Sequence, residues 1–211
     1  MKGLVISSGN IKDYDLLKNL VHEHDYIICA DGGINHLVKI NKKPNVVLGD
    51  LDSVTEEGLD FIKNQKVSVE KYPKMKNNTD TELALFHLIK KDIDEITLVG
   101  VTGSRIDHTL ANLLLLKSLH QKGIKAKIVD QQNIVRYVNN KLKLKKKKES
   151  YISVVPLGEK GIIVSLIGFL YPLDKHYIGF GETIGISNEV VEEYGTVIIH
   201  KGEALVIESK D

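Results

Sequence analysis

The sequence has a single cysteine, no excess of charge of either sign and no long apolar run. The lone Cys29 rules out an intrachain disulfide and fits a reducing cytosol. In "YIICA" it reads as a small buried hydrophobe. Lys+Arg number 29 against 28 Asp+Glu, a net charge of +1, so the basic surplus of a general nucleic-acid binder is missing. No stretch approaches the roughly 20 apolar residues of a membrane helix. "MKGLVISSGN" is too short in its apolar part for a signal peptide. No G-x-x-x-x-G-K-[ST] occurs, which excludes a P-loop enzyme, and "GFGETIG" (179–185) matches a dinucleotide fingerprint only loosely. There is no internal repeat and no low-complexity linker. These absences lead us to expect a soluble cytoplasmic protein without a nucleic-acid or membrane partner.

What is present is an alternation. "GLVIS", "YIICA", "NVVLG", "VSVEKY", "EITLVG" and "KAKIVD" are short β-branched runs within the first 130 residues. Runs of this kind suit parallel strands buried on both faces. Between them, "YDLLKNLVHEH", "TDTELALFHLIKKD" and "RIDHTLANLLLLKSLHQKG" have helical spacing, with Gly123 placed to end the last. The pattern predicts an α/β fold with an open, mostly parallel sheet and flanking helices over residues 1–130. From 131 to 211 it changes to "NIVRYV", "SYISVVPL", "GIIVSLIG", "GTVIIHKG" and "EALVIES", a smaller all-β sandwich or barrel. "HKGE" (200–203) is expected to be a hairpin turn, and the lysine run in "KLKLKKKKES" a solvated hairpin tip.

Ligands of open α/β sheets bind beyond the carboxyl ends of the strands, and acids collect there. In "VVLGDLDSV" (46–54), Asp50 and Asp52 follow a strand with one residue between them. On an extended backbone they point the same way. At about 4 Å, two carboxylates repel by roughly 4 kcal/mol at an effective dielectric near 20. A divalent cation offsets that, and oxygen ligands favour Mg²⁺ over zinc. The competing reading is a solvated turn in which Asp52 or Ser53 caps a helix starting near Thr55. Asp31 opens "DGG", Asp80 lies in "NNTDTE" and Asp107 in "TGSRIDH". Thr79 with Glu82 matches a capping box, and Ser104 with Asp107 a similar pattern. Five acids at one sheet edge still exceed what capping needs and point to a metal–phosphate site. Gly32 and Gly33, then Thr102, Gly103, Ser104 and Arg105, let backbone and guanidinium meet phosphate oxygens.

These residues resemble the thiamine pyrophosphokinase (thiamine diphosphokinase) family. "ADGGINHL", "VVLGDLDS", "KNNTDTELAL", "GVTGSRIDHTLANL" and "GISNE" occur in its order and spacing across nearly the whole chain. The resemblance implies transfer of a pyrophosphoryl group from ATP to the hydroxyl of thiamine, releasing AMP. It implies Asp50, Asp52 and Asp80 as Mg²⁺ ligands, with Asp107 and Arg105 also catalytic and Asp80 or Asp107 the candidate bases. It further implies Asp31, Gly32, Gly33, Thr102, Gly103, Ser104, Arg105 and His108 as nucleotide contacts, and Ser187 and Asn188 as thiamine contacts. A homodimer is implied, the β domain of one subunit closing the site of the other. Family members often carry an acidic stretch before the "TD"; here Met75, Lys76 and Asn77 stand in its place. Tyr171 is read as core, with stacking on the pyrimidine as the alternative. Competing readings are a pyrophosphokinase for another alcohol such as a pterin, and a thiamine- or nucleotide-sensing module without turnover.

Overall fold

The β-branched runs of the first half become parallel strands, buried in the middle of the sheet and partly exposed at its Ser68–Lys71 edge. In the computed structural model, which describes residues 1–73 and 77–211, the chain divides into two compact units, Met1–Gln131 and Gln132–Asp211. Met75 and Lys76 lie outside the described residues. The first unit contains β1 (Lys2–Ile6), β2 (Tyr26–Ala30), β3 (Val46–Gly49), β4 (Ser68–Lys71), β5 (Glu95–Val99) and β6 (Lys125–Val129). Their order is β4-β3-β2-β1-β5-β6, and every neighbouring pair is parallel. Leu4, Val5, Ile6, Ile28, Val47, Leu48, Ile96 and Leu98 are sealed from water, as is Cys29, whose thiol burial pushes up in pKa. The strand order reverses at β1, between β2 on one side and β5 on the other, the switch point where such sheets open a crevice.

The helices are α1 (Tyr14–Glu23), α2 (Ile34–Lys39), α3 (Glu56–Asn64), α4 (Asp80–Ile89) and α5 (Ile106–Gln121). The capping box at α4 forms as the spacing predicts: Thr79 Oγ1 accepts from Glu82 N–H, and Glu82 accepts from Thr79 N–H. Two other capping expectations fail. Thr55, not Asp52 or Ser53, caps α3 by accepting from Gly58 N–H. At α5 the N-cap is Arg105, with no side-chain cap, so Ser104 and Asp107 do not form a box. Capping therefore explains neither Asp52 nor Asp107. Gly123 (φ +77°) ends α5 in the left-handed region, its N–H donating to His120 C=O.

The second unit contains β7 (Asn133–Val138), β8 (Lys141–Lys145), β9 (Tyr151–Pro156), β10 (Ile162–Ile167), β11 (Leu173–Ile178), β12 (Tyr194–Lys201) and β13 (Ala204–Ser209). One antiparallel layer has β13 between β7 and β9; the other runs β11-β10-β12-β8. Val138, Ile152, Val154 and Val206 of the first layer share a core with Leu144, Val164, Leu166, Val197 and Ile199 of the second, which makes a sandwich. Both hairpin expectations are overturned. "HKGE" carries the chain from β12 in one layer to β13 in the other, turning at Gly202 (φ +86°), where a Cβ would meet Gly161 O at 2.5 Å. The lysine run likewise contains β8 and then crosses to β9. Lys143 Nζ sits 3.9 Å from the Tyr194 ring centroid, Lys146 Nζ donates to Val191 C=O at 3.0 Å, and Lys147 pairs with Glu208. Strands β8 and β11 were not expected from the pattern. In β8 the leucines alternate with lysines, and β11 is an edge strand whose "DKHY" side chains face water.

Candidate active site at the carboxyl edge

A cavity of about 590 Å³ lies at the carboxyl ends of the parallel strands. It is lined by Ser7–Asn10 after β1, Asp31 after β2, Asp50, Asp52 and Ser53 after β3, Asn78–Thr81 at the head of α4, and Gly100–Arg105 with His108 after β5. Five sequence segments meet there because every strand points the same way.

The acids converge by register. Ala30 pairs with Leu48 across β2 and β3, so Asp31 leaves β2 level with Gly49 and beside Asp50. Asp31, Asp50 and Asp52 each offer a carboxylate oxygen, all within 4.8 Å of one another. Asp31 is 7% exposed and has φ +48°, a left-handed position. The approach of Asp52 to Asp50 does not come from an extended backbone. Leu51 has φ +66°, and the turn is closed by Asp52 N–H donating to Asp50 Oδ1 at 3.2 Å. Ser53 Oγ donates to Asp52 Oδ1 at 3.2 Å, and Ser53 N–H to Asp31 Oδ1 at 3.4 Å. Asp80 lines the same cavity but stands outside this trio. Its Oδ1 is 3.1 Å, and Asp31 Cβ 3.2 Å, from where a Cβ on Gly49 would sit. The expected acids Asp50, Asp52 and Asp80 thus share one cavity, and among the described residues Asp31, Asp50 and Asp52 form the closest grouping, since adjacent strands bring acids closer than a helix start does. Three carboxylates at this spacing, one of them buried, form an oxygen-only donor set that fits a hard divalent cation.

A guanidinium also lines the cavity. Arg105 is held by Asp107 in a forked pair, Nη2 to Oδ2 at 2.7 Å and Nε to Oδ1 at 3.3 Å. The pair raises the guanidinium pKa and holds the Asp107 carboxyl below its ordinary range. Arg105 and His108 line the cavity, whereas Asp107 does not and acts on Arg105. Thr102 Oγ1 donates to Asp130 Oδ2 at 3.0 Å, and Gly103 N–H to Thr109 Oγ1 at 3.2 Å. Gly32 and Gly33 are buried outside the lining. A Cβ on Gly33 would meet Ile6 O at 2.0 Å, and one on Gly32 would meet Ser53 O at 2.8 Å, so chain packing itself requires glycine at both positions.

Ser187 and Asn188 lie in the second unit. Ser187 is exposed, with φ +56°. The Asn188 amide accepts from Tyr171 N–H at 3.0 Å and Glu189 N–H at 2.9 Å and donates to Tyr171 C=O at 2.7 Å, so it ties its loop to the segment before β11. Tyr171 is 65% exposed, not core.

Several lining residues went unread in the sequence. Ser7, Ser8 and Asn10 follow the first strand in "ISSGN", the place of the first β–α turn, where phosphate loops commonly sit. Asn112 is buried in α5 and donates to Val101 C=O at 2.8 Å; its signal is one polar residue in the apolar run "LANLLLL".

A crevice at the switch point of a parallel sheet, with clustered acids and an arginine in its lining, defines an enzyme that handles phosphorylated ligands. The family model described as "Thiamin pyrophosphokinase, catalytic domain" matches residues 17–128, and "Thiamin pyrophosphokinase, vitamin B1 binding domain" matches residues 139–203. The chain belongs to the thiamin pyrophosphokinase family. It is 33% identical to the thiamine pyrophosphokinase of Bacillus subtilis (strain 168) over 214 residues, covering 100% of both chains. The crystal structure of a Bacillus subtilis thiamine pyrophosphokinase matches with a TM-score of 0.91 at 31% identity, covering 100% of each chain. That of a Geobacillus thermodenitrificans thiamin pyrophosphokinase matches with a TM-score of 0.86 at 28% identity, covering 100% of this chain and 98% of the other.

Proposed function

We propose that the chain is a Mg²⁺-dependent thiamine diphosphokinase that converts ATP and thiamine to thiamine diphosphate and AMP. The observation that carries this reading is the trio Asp31, Asp50 and Asp52 in one cavity with Asp80 and Arg105. The thiamine hydroxyl oxygen forms a bond to the β-phosphorus of ATP while the bond from that phosphorus to the α-phosphate bridging oxygen breaks. Asp31, Asp50 and Asp52 would hold Mg²⁺, which when bound neutralises phosphate charge and orients the transferred group. Arg105, anchored by Asp107, meets the developing negative charge. Asp80 is the favoured candidate base, because it lines the cavity and Asp107 does not. Gly100–Ser104 and His108 receive the nucleotide. Thiamine contacts fall to the β unit, through Ser187 and the exposed Tyr171 instead of the internally bonded Asn188, and a homodimer is the assembly this division of labour favours.

The test is purified chain with Mg²⁺, ATP and thiamine, followed by AMP release. AMP that appears only with thiamine supports the reading; AMP formed equally with a pterin alcohol, or not at all, overturns it.

A further inference from the structure

The acid-bearing turn and the loop after β1 are both irregular backbone, and each must be held in shape. Leu51 at φ +66° sits in a region L residues adopt at a cost, so the Asp50–Ser53 turn needs outside support. Asn35 supplies it. Its Nδ2 donates to Ser53 C=O at 2.9 Å, and its Oδ1 accepts from Thr55 N–H at 3.1 Å and Thr55 Oγ1 at 3.0 Å. Gly58 allows this approach, since a Cβ there would lie 2.6 Å from Asn35 Oδ1. Asp31, four residues earlier, accepts from Ser53 N–H, so one short segment grips the turn at two points.

The next residue faces the other wall. His36 Nε2 lies 2.9 Å from the Gly9 carbonyl oxygen, and its Nδ1 3.1 Å from the Tyr14 hydroxyl. Only an Nε2–H can serve the carbonyl, so in the neutral ring Nδ1 accepts from Tyr14. Burial lowers the ring's pKa and keeps that form. The Gly9 N–H in turn donates to Gly100 C=O at 2.8 Å, and a Cβ on Gly9 would meet the same oxygen at 2.4 Å. Both polar groups of Gly9 are therefore engaged, and the Ser7–Asn10 loop is fixed where it lines the cavity. Neither Asn35 nor His36 lines the cavity itself.

We infer that Asn35 and His36, neighbours at the head of α2, are a pair of positioning residues, each setting one wall of the cavity. Asn35 sets the acid-bearing turn, and His36 with Tyr14 sets the Ser7–Asn10 loop for the nucleotide phosphates. The inference rests on the metal–nucleotide reading of the cavity but not on thiamine being the acceptor.

The test is a crossed comparison on the full chain. Mn²⁺ alone is titrated and followed by loss of the free-ion EPR signal, and ATP binding is measured by calorimetry at saturating Mg²⁺. Asn35→Ala is expected to weaken Mn²⁺ uptake about tenfold while shifting ATP affinity less than about twofold. His36→Ala is expected to do the reverse, about tenfold on ATP and less than about twofold on Mn²⁺. His36→Gln, whose amide can serve both Gly9 and Tyr14, is expected to recover most of the ATP affinity. Where Asn35→Ala fails to melt cooperatively, Asn35→Gln, which displaces the amide by one methylene, gives the same selective loss. Equal losses of both affinities in both variants, or no loss in either, overturns the inference. AMP release is not among the readouts, so a chain that binds metal and ATP as described yet ignores thiamine overturns the proposed function alone.

Discussion

The two units differ in how they gather polar chemistry. In the parallel unit every strand delivers its end to the same edge, so turns distant in sequence become neighbours and five segments line one cavity. In the sandwich, antiparallel neighbours deliver alternate ends, and no such gathering is built in. There the Asn188 amide ties one loop to another at Tyr171, while Tyr171, Phe180 and Ile184 face water. Substitutions at the first unit's acids should therefore remove activity and spare the fold. Substitutions at the second unit's loop asparagine should weaken the fold before the chemistry.

The sharpest test is Asp52→Asn. AMP release should fall by at least about 100-fold, with the melting temperature held or raised because a mutual repulsion has been relieved. Full activity in that variant would detach the acid turn from the reaction. Gly49→Ala should be costly for both properties. The position has φ +138° and space bounded by Asp80 and Asp31, so a loss of about 1–3 kcal/mol is expected in denaturant titration, with activity falling too. Asn188→Ala should cost about 2 kcal/mol by leaving Tyr171 backbone groups unpaired, with the Mn²⁺ affinity of the other unit unchanged.

The smallest effect is a pH dependence confined to the first unit. His24 is buried, with Nδ1 2.6 Å from Leu20 C=O and Nε2 2.8 Å from Thr97 Oγ1. Burial, opposed by the hydrogen bond to Leu20 C=O and by Glu23 and reinforced by Lys127 and Lys2, lowers its pKa below the ordinary 6.5. The unfolded chain thus takes up this proton first. Its contribution is intact above pH 6.5 and is lost as pH falls from there toward the folded value. Melting temperatures recorded from pH 7 to about 5 should decline, and less steeply in His24→Gln.

Much of the first unit was legible because its signals are local. Each β-branched run forms a parallel strand, though the edge strand β4 is not buried, and Thr79 and Glu82 make a capping box within four residues. The closest acid set was less legible: that Asp31 rather than Asp80 joins Asp50 and Asp52 depends on β2 lying beside β3 in a given register. The sandwich showed its limit more plainly. Alternation in "TVIIHKGEALVIES" announces two strands and a turn, but not that the turn changes layers. Lysines in β8 concealed a strand, because only Leu142 and Leu144 carry its inward face.

That layer change bears on how the polypeptide emerges from the ribosome. Strand β13, the middle of its layer, is synthesised after both strands it joins, so β7 and β9 wait with unsatisfied edges until it arrives. Among the described residues, β10 with β11 is the one pair of consecutive strands joined directly in this unit, and it offers the natural early nucleus. The nascent sandwich is for that interval the part of the molecule most exposed to mispairing and to capture by chaperones.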